Sequence, residues 1–292
     1  SGVVLITQGT EQRFAGVYGY ASRAWRVRPT LATRFDTASV TKLFTAVVTL
    51  QCVDAGLFAL DTSVVDYLDL RGTAISPAVT EAHLLTHSSG IGDDCDEEAG
   101  GRYEDLWTTR PNYAVTATVD FLPQFVHKPP NFAPGESCRY CNCGYVLAGL
   151  MVEKATGRAY RDVVKERIFT AAGMADSGFL SMDRVYPDVA EGCDPLRDES
   201  GAIMAWKRNI YAFPPIGSPD SGAFVTAADL DRFLRVVKGG RLLSPASTAA
   251  LLTPQVEYRR RDSLTLKYGY GLLFYLQDDR APGLQRREQA DE

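Results

Sequence analysis

A chain of 292 residues, 45% hydrophobic and 23% charged, has the make-up of a soluble globular protein with room for one large domain or two ordinary ones. A net charge of −5 argues against a nucleic-acid-binding surface or a polybasic membrane patch. No uninterrupted apolar run approaches the roughly 20 residues that a membrane-spanning helix needs.

The opening "SGVVLITQG" is apolar but short and lacks a basic leader, so it reads as a first strand and not as a signal peptide. "GVVLITQG" and "RFAGVYGYASR", rich in β-branched and aromatic residues, read as two strands joined by a polar turn at Gln8 to Gln12. "TASVTKLFTAVVTLQCVDAGLF" changes character: from Val40 to Val53 it is apolar around most of a helical cylinder, with Gly56 as a stop. A helix apolar on every side has to be buried. "TEAHLLTHSSGI" reads as a short helix, and the stretch from Gly92 to about Pro134, acidic first and then rich in Pro and aromatics, as irregular.

"CGYVLAGLMVEKATG" predicts a second apolar helix closed by Gly157, and "AYRDVVKERIFTAAGM" an amphipathic one closed by Gly173. Another irregular stretch leads to "SGAFVTAADLDRFLRVVKGG", where Thr226 and Asp229 form a capping-box-like start. "YRRRDS" is expected to be a solvated loop or helix end, "LKYGYGLLFYLQ" one strand, and "DDRAPGLQRREQADE" a solvated tail. Strands, then many helices, then a strand again predict an α+β fold in which a helical region is inserted between parts of one sheet.

Six cysteines are too few for a disulfide scaffold in a chain of this length, and their scatter suits a reducing compartment, which leans the expected location toward the cytoplasm. Three of them fall in "CRYCNCGY", at Cys138, Cys141 and Cys143. Small buried side chains are the favoured reading. A Cys138–Cys141 or similar disulfide is one alternative. A zinc or cluster site, for which Cys95, His127 or Cys193 would have to supply a fourth ligand, is the other. No metal and no cofactor is expected.

Ser39 begins the buried helix and Lys42 follows in "SVTK", so the two side chains share one helix face. Ser39 sits where unpaired N–H groups favour a developing negative charge. A lysine buried beside it should lose proton affinity and so become a base for the hydroxyl. "YCN" adds Tyr140 and Asn142 just before an apolar helix, about a hundred residues later.

Ser-x-x-Lys followed by Tyr-x-Asn is the signature of the penicillin-recognising serine hydrolases. "TRFDTASVTKLFTA", "HLLTHSSGI", "PGESCRYCNCGYVLAGLMVEKATGRAY", "RIFTAAGMADSGF" and "SGAFVTAADLDRFL" resemble, in order, blocks of the class C β-lactamase-related family, over about Gly2 to Leu276. The resemblance implies a β-lactamase/transpeptidase-like α+β fold: one domain with a sheet lobe at about 1–35 and 264–292 and a helical lobe at about 36–263. It implies Ser39 as the acylated nucleophile and Lys42 as base partner, bonded to Ser39 and Tyr140. Tyr140 would be a phenolate that shuttles the proton, Asn142 would orient the acyl chain, and the Ser39 N–H would be an oxyanion donor. His83 and His87 would be structural, while Trp107, Tyr113 and residues Trp206 to Tyr211 would wall the acyl pocket. The implied substrate is a small ester, amide or peptide, with esterase or peptidase-like activity ranked above β-lactamase activity. Oligomeric state is not indicated.

The family's third motif, His-x-Gly or Lys-Thr-Gly-like, is not found; Lys267 in "KYG" is a poor stand-in, because "KYGYGL" aligns with the block before that motif. The C-terminal strands are therefore expected past Glu292. The rival reading is a catalytically impaired, penicillin-binding-like ligand-binding protein.

Overall fold

Residues 1–277 are described by a computed structural model; the expectations for the tail and for the remainder of the sheet lobe, 278–292, lie outside them. The helices are α1 (Thr41–Asp54), α2 (Val64–Leu68), α3 (Glu81–Leu85), α4 (Asn142–Thr156), α5 (Tyr160–Val164), α6 (Ala227–Lys238) and α7 (Pro245–Leu251). The strands are β1 (Gly2–Gln8), β2 (Glu11–Tyr18), β3 (Phe35–Asp36), β4 (Cys193–Arg197), β5 (Ile203–Arg208), β6 (Phe224–Val225), β7 (Val256–Arg261), β8 (Leu264–Tyr268) and β9 (Leu273–Gln277). The fold is α+β, with a helical centre and antiparallel sheets.

α1 is the axis of the molecule. Every residue from Thr41 to Leu50 is buried, as an all-round apolar helix requires. α4 and α5 lie against it, and α2 and α3 pack on α4. Phe44 of α1 meets Phe169 and Phe233 edge-on, with centroids 5.2 and 4.8 Å apart, a favoured aromatic geometry. α4 stops at Gly157, whose φ of 66° suits glycine. α5 runs into a π-helical turn, Lys165–Thr170, before Gly173 ends the segment. At α6 the Thr226 hydroxyl accepts the Asp229 N–H at 3.1 Å.

Among the described residues the strands form four small sheets: β1–β2, β3–β6, β4–β5 and β7–β8–β9. Three stretches differ from expectation. "CDPLRDESGAIMAWKR", read as irregular, is the hairpin β4–β5. Its residues are mostly half-buried or exposed, so no apolar alternation marks it. "YRRR" lies on strand β7, and "LKYGYGLLFYLQ" is not one strand but the hairpin β8–β9.

That hairpin's turn reaches the start of α1. Gly271 has φ 71°, and a Cβ there would lie 2.9 Å from Ala46 Cβ and 3.1 Å from the Lys42 carbonyl oxygen. Gly271→Ala is accordingly expected to cost about 2 kcal/mol of stability in urea unfolding, from the positive φ and the clash together. An unchanged midpoint would contradict the docking.

Candidate active site

The nucleophile candidate is held by a short antiparallel pair. Phe35 and Asp36 of β3 pair with Val225 and Phe224 of β6. The Thr37 N–H and hydroxyl both donate to the Ala223 carbonyl, and the Thr41 hydroxyl accepts the Ala223 N–H at 3.0 Å. Asp36 accepts the Ala38 N–H at 2.7 Å, bracing Ala38 at φ 44°. Ser39 then falls in a 3-10 turn just before α1, not in α1 itself, and its side chain is exposed.

Lys42 is one turn further on and only 3% exposed. Its ammonium donates to Ser39 Oγ at 3.1 Å, to Asn142 Oδ1 at 2.6 Å and to the Asp220 carbonyl at 2.8 Å. Tyr140 Oη donates to Ser39 Oγ at 2.6 Å. The four residues singled out in the sequence are thus brought together, on the turn before α1, on α1 and at the N-terminus of α4.

Two details differ from expectation. Lys42 does not bond to the Tyr140 hydroxyl; its three protons are taken by other acceptors, and it meets Tyr140 through the ring face, 4.8 Å from the centroid. Tyr140 is not set up as a phenolate. Burial raises its pKa, and Glu97, Asp220 and Asp93 raise it further against the lowering effect of the Ser39 hydrogen bond. Lys42 moves the other way: burial lowers its pKa below the ordinary 10.5, opposed by Asp220, Asp93 and Glu97. The group that gives up its proton more readily is therefore the amine.

Asn142 is engaged on both sides of its amide. Oδ1 holds Lys42, while Nδ2 donates to Tyr103 Oη at 2.9 Å and Glu97 Oε1 at 3.1 Å. The Tyr103 hydroxyl in turn donates to Glu97. The Tyr103 ring packs at a tilt against Phe213, centroids 5.3 Å apart, and the Trp107 indole N–H donates to the Ala212 carbonyl at 2.9 Å. Tyr113 is 71% exposed, and Trp206 lies under the Arg23 guanidinium instead.

The acidic segment Asp93 to Glu98 explains how α4 begins. Cys141, at its N-cap, makes no side-chain cap bond; the buried Asp93 carboxylate accepts the Asn142 N–H at 3.1 Å and the Cys143 N–H at 2.9 Å. A cap supplied from 49 positions away leaves no local signature. The cysteines are packing residues: Cys141 and Cys143 are buried, Cys138 is half-buried, and none is in a disulfide. Burial pushes the Cys138 thiol up to about 12. Asp93, Asp94 and Cys143 offer ligand atoms within 4.8 Å of one another. Asp93 is already spent on the helix N-terminus, burial raises the Cys143 thiol, and the Lys128 ammonium sits on the Asp93 and Asp94 carbonyls at 2.7 Å. Those features suit capping better than a cation.

Lys267 lies opposite Phe274 in the β8–β9 pair. Its neighbour Tyr268 is the residue that faces the site, 4.6 Å from the His87 ring. His83 caps α3 by accepting the Thr80 N–H at 3.2 Å. Sequence reading missed Asp93, Glu97, Tyr103 and Asp220. Five acids in six positions, Asp93 to Glu98, were the visible signal for two of them.

The beta-lactamase family model matches residues 1–286. The chain belongs to the beta-lactamase family. It is similar to penicillin-binding protein 4 of Amycolatopsis lactamdurans, at 32% identity over 82% of this chain and 61% of that protein. It is also similar to esterase EstB of Burkholderia gladioli, at 30% identity over 85% of this chain and 68% of that one. The crystal structure of a penicillin binding protein from Bacillus halodurans superposes with a TM-score of 0.87 at 40% identity, over 95% of this chain and 81% of that one. The chain spans about 60% of the length of the first two penicillin-binding relatives it matches. Relatives named as an esterase and a D-aminopeptidase make this a family of hydrolytic enzymes. Among the described residues, no helix is long and apolar enough to cross a membrane.

Proposed function

We propose that this chain carries the acyl-transfer centre of a serine hydrolase acting on small esters or amides, including peptides, through an acyl-enzyme on Ser39. The observation that carries the reading is the convergence on one oxygen: Ser39 Oγ accepts from both Lys42 and Tyr140. Lys42 in its free-amine form takes the Ser39 proton as Oγ attacks the carbonyl carbon. The Tyr140 phenol, which keeps its proton at rest, donates it to the departing alcohol or amine and regains one from water, while Lys42 returns its proton to Ser39 Oγ when the acyl group leaves. The Ser39 N–H supplies one donor to the oxyanion, a contribution of about 3 kcal/mol per donor in comparable sites. Water then releases the acyl group.

Asn142 holds Lys42 in place; in this role it acts on the base, and an acyl chain seeking its amide N–H groups has to displace Tyr103 and Glu97. Esters and simple amides rank ahead of β-lactams as substrates, because among the described residues no side chain stands out as the activator of a deacylating water. The test is turnover of p-nitrophenyl acetate and D-alanine p-nitroanilide. The wild-type chain should hydrolyse at least one, and Ser39→Ala should lose roughly 10³-fold or more in kcat. Equal rates in both proteins, or binding without turnover in either, would overturn the reading in favour of a non-catalytic binding protein.

A further inference from the structure

Proton transfer at Ser39 places one strict demand on the fold. Tyr140 must hold its hydroxyl 2.6 Å from Ser39 Oγ, yet it lies in the irregular segment ahead of α4 with no helical bonds of its own. A misplacement of 1 Å in such a group costs on the order of 10²-fold in rate. Something outside α4 has to set its position.

His87 stands in the right place to do so. Its carbonyl accepts the Arg139 N–H at 2.9 Å, and its Nδ1 accepts the Cys141 N–H at 3.1 Å, so one residue holds the backbone on both sides of Tyr140. Its imidazole lies against the phenol ring, with centroids 4.5 Å apart and planes at 31°. The imidazole is itself wedged: Tyr268 of β8 meets it edge-on at 4.6 Å, and Tyr145 of α4 lies 5.2 Å away. The intervening Tyr140 N–H goes to Glu98, which also accepts the Tyr258 hydroxyl of β7 at 2.9 Å. Three successive N–H groups, of residues 139 to 141, are thus all held by partners outside α4.

We propose that His87 is a positioning residue for acyl transfer, fixing the Tyr140 phenol over Ser39 through two backbone bonds and a ring contact. The inference rests on the roles proposed for Ser39 and Tyr140. His87 occupies φ 58°, a left-handed conformation uncommon outside glycine, Asn, Asp and His, which lets carbonyl and ring both face the 139–141 segment. Because Nδ1 accepts, the ring proton sits on Nε2. Burial and the nearby Lys42 charge push its pKa down to about 3, so it keeps that state at neutral pH and takes no part as an acid or base.

A double-mutant cycle tests the proposal. His87→Asn keeps an acceptor for the Cys141 N–H and tolerates the positive φ, but removes the ring. It should lower kcat about tenfold and change KM less than about twofold. In a Tyr140→Phe background the same substitution should change kcat less than about twofold, because the phenol it serves is gone. Where turnover is too slow, the rate at which a fluorophosphonate labels Ser39 is the readout. Should His87→Asn fail to fold, His87→Gln goes through the same cycle. Additive losses, or a rise in KM alone, overturn the proposal. A fully active Tyr140→Phe enzyme overturns the acyl-transfer reading itself, and the proposal with it.

Discussion

Replacing Lys42 with methionine is expected to lower kcat/KM toward a small ester by roughly 10³-fold or more while the chain still folds. Methionine fills a similar volume and carries no charge. It leaves Asn142 Oδ1 and the Asp220 carbonyl without the ammonium that now joins them, a cost of about 1–3 kcal/mol for each unsatisfied acceptor. Removal of a buried charge offsets part of that cost. What cannot be offset is the loss of the base. The wild-type kcat/KM should rise with pH as Lys42 sheds its proton, with a midpoint below 10.5, because burial is the larger influence on this amine. The methionine variant should lose that limb. Retention of a tenth of the wild-type rate, or an unchanged limb, would remove Lys42 from the reaction.

The second large effect concerns stability. Glu81 is fully buried at the start of α3, and neither carboxylate oxygen has a hydrogen-bond partner among the described residues. Burial raises its pKa from 4.5 to about 8. The sign follows directly. Below 4.5 the carboxyl is protonated folded or unfolded, and no penalty arises. Between 4.5 and 8 the unfolded chain ionises and the folded one does not, so stability falls as pH rises, reaching a loss of about 4 kcal/mol near pH 8. Glu81→Gln removes the titration. The variant should match the wild type in urea unfolding near pH 4.5 and exceed it by about 4 kcal/mol at pH 8. Parallel stability curves across that range would show that the carboxyl reaches a partner or solvent.

The elements that sequence made legible are those whose signals are local. α1 and α4 announce themselves by apolar residues on every side, and α6 by Thr226 and Asp229; in each the residues that mark the helix are those that build it. β4–β5 escaped because its residues stay half-buried or exposed, so the alternation that marks a half-buried strand is missing, and β7 escaped because it alternates only over Val256 to Arg259 before its arginine run. The hairpin β8–β9 reads as one strand because its turn, Gly269 to Gly271, is flanked by apolar residues on both sides. The same division runs through the site. Ser39 and Lys42 are three residues apart, and Tyr140 and Asn142 two apart, so each pair forms a motif. Asp93, Glu97, Tyr103, Asp220 and His87 reach the site only by folding, and their roles depend on which face of a loop turns inward.

Acylation of Ser39 is the most direct measurement. A fluorophosphonate should add once to the wild-type chain, and peptide mass mapping should place the adduct on Ser39. The rate should fall by about a hundredfold or more in Lys42→Met and markedly in Tyr140→Phe. An adduct on another residue, no adduct at all, or equal rates in the three proteins would contradict the claim that an amine and a phenol converge on one hydroxyl to activate it.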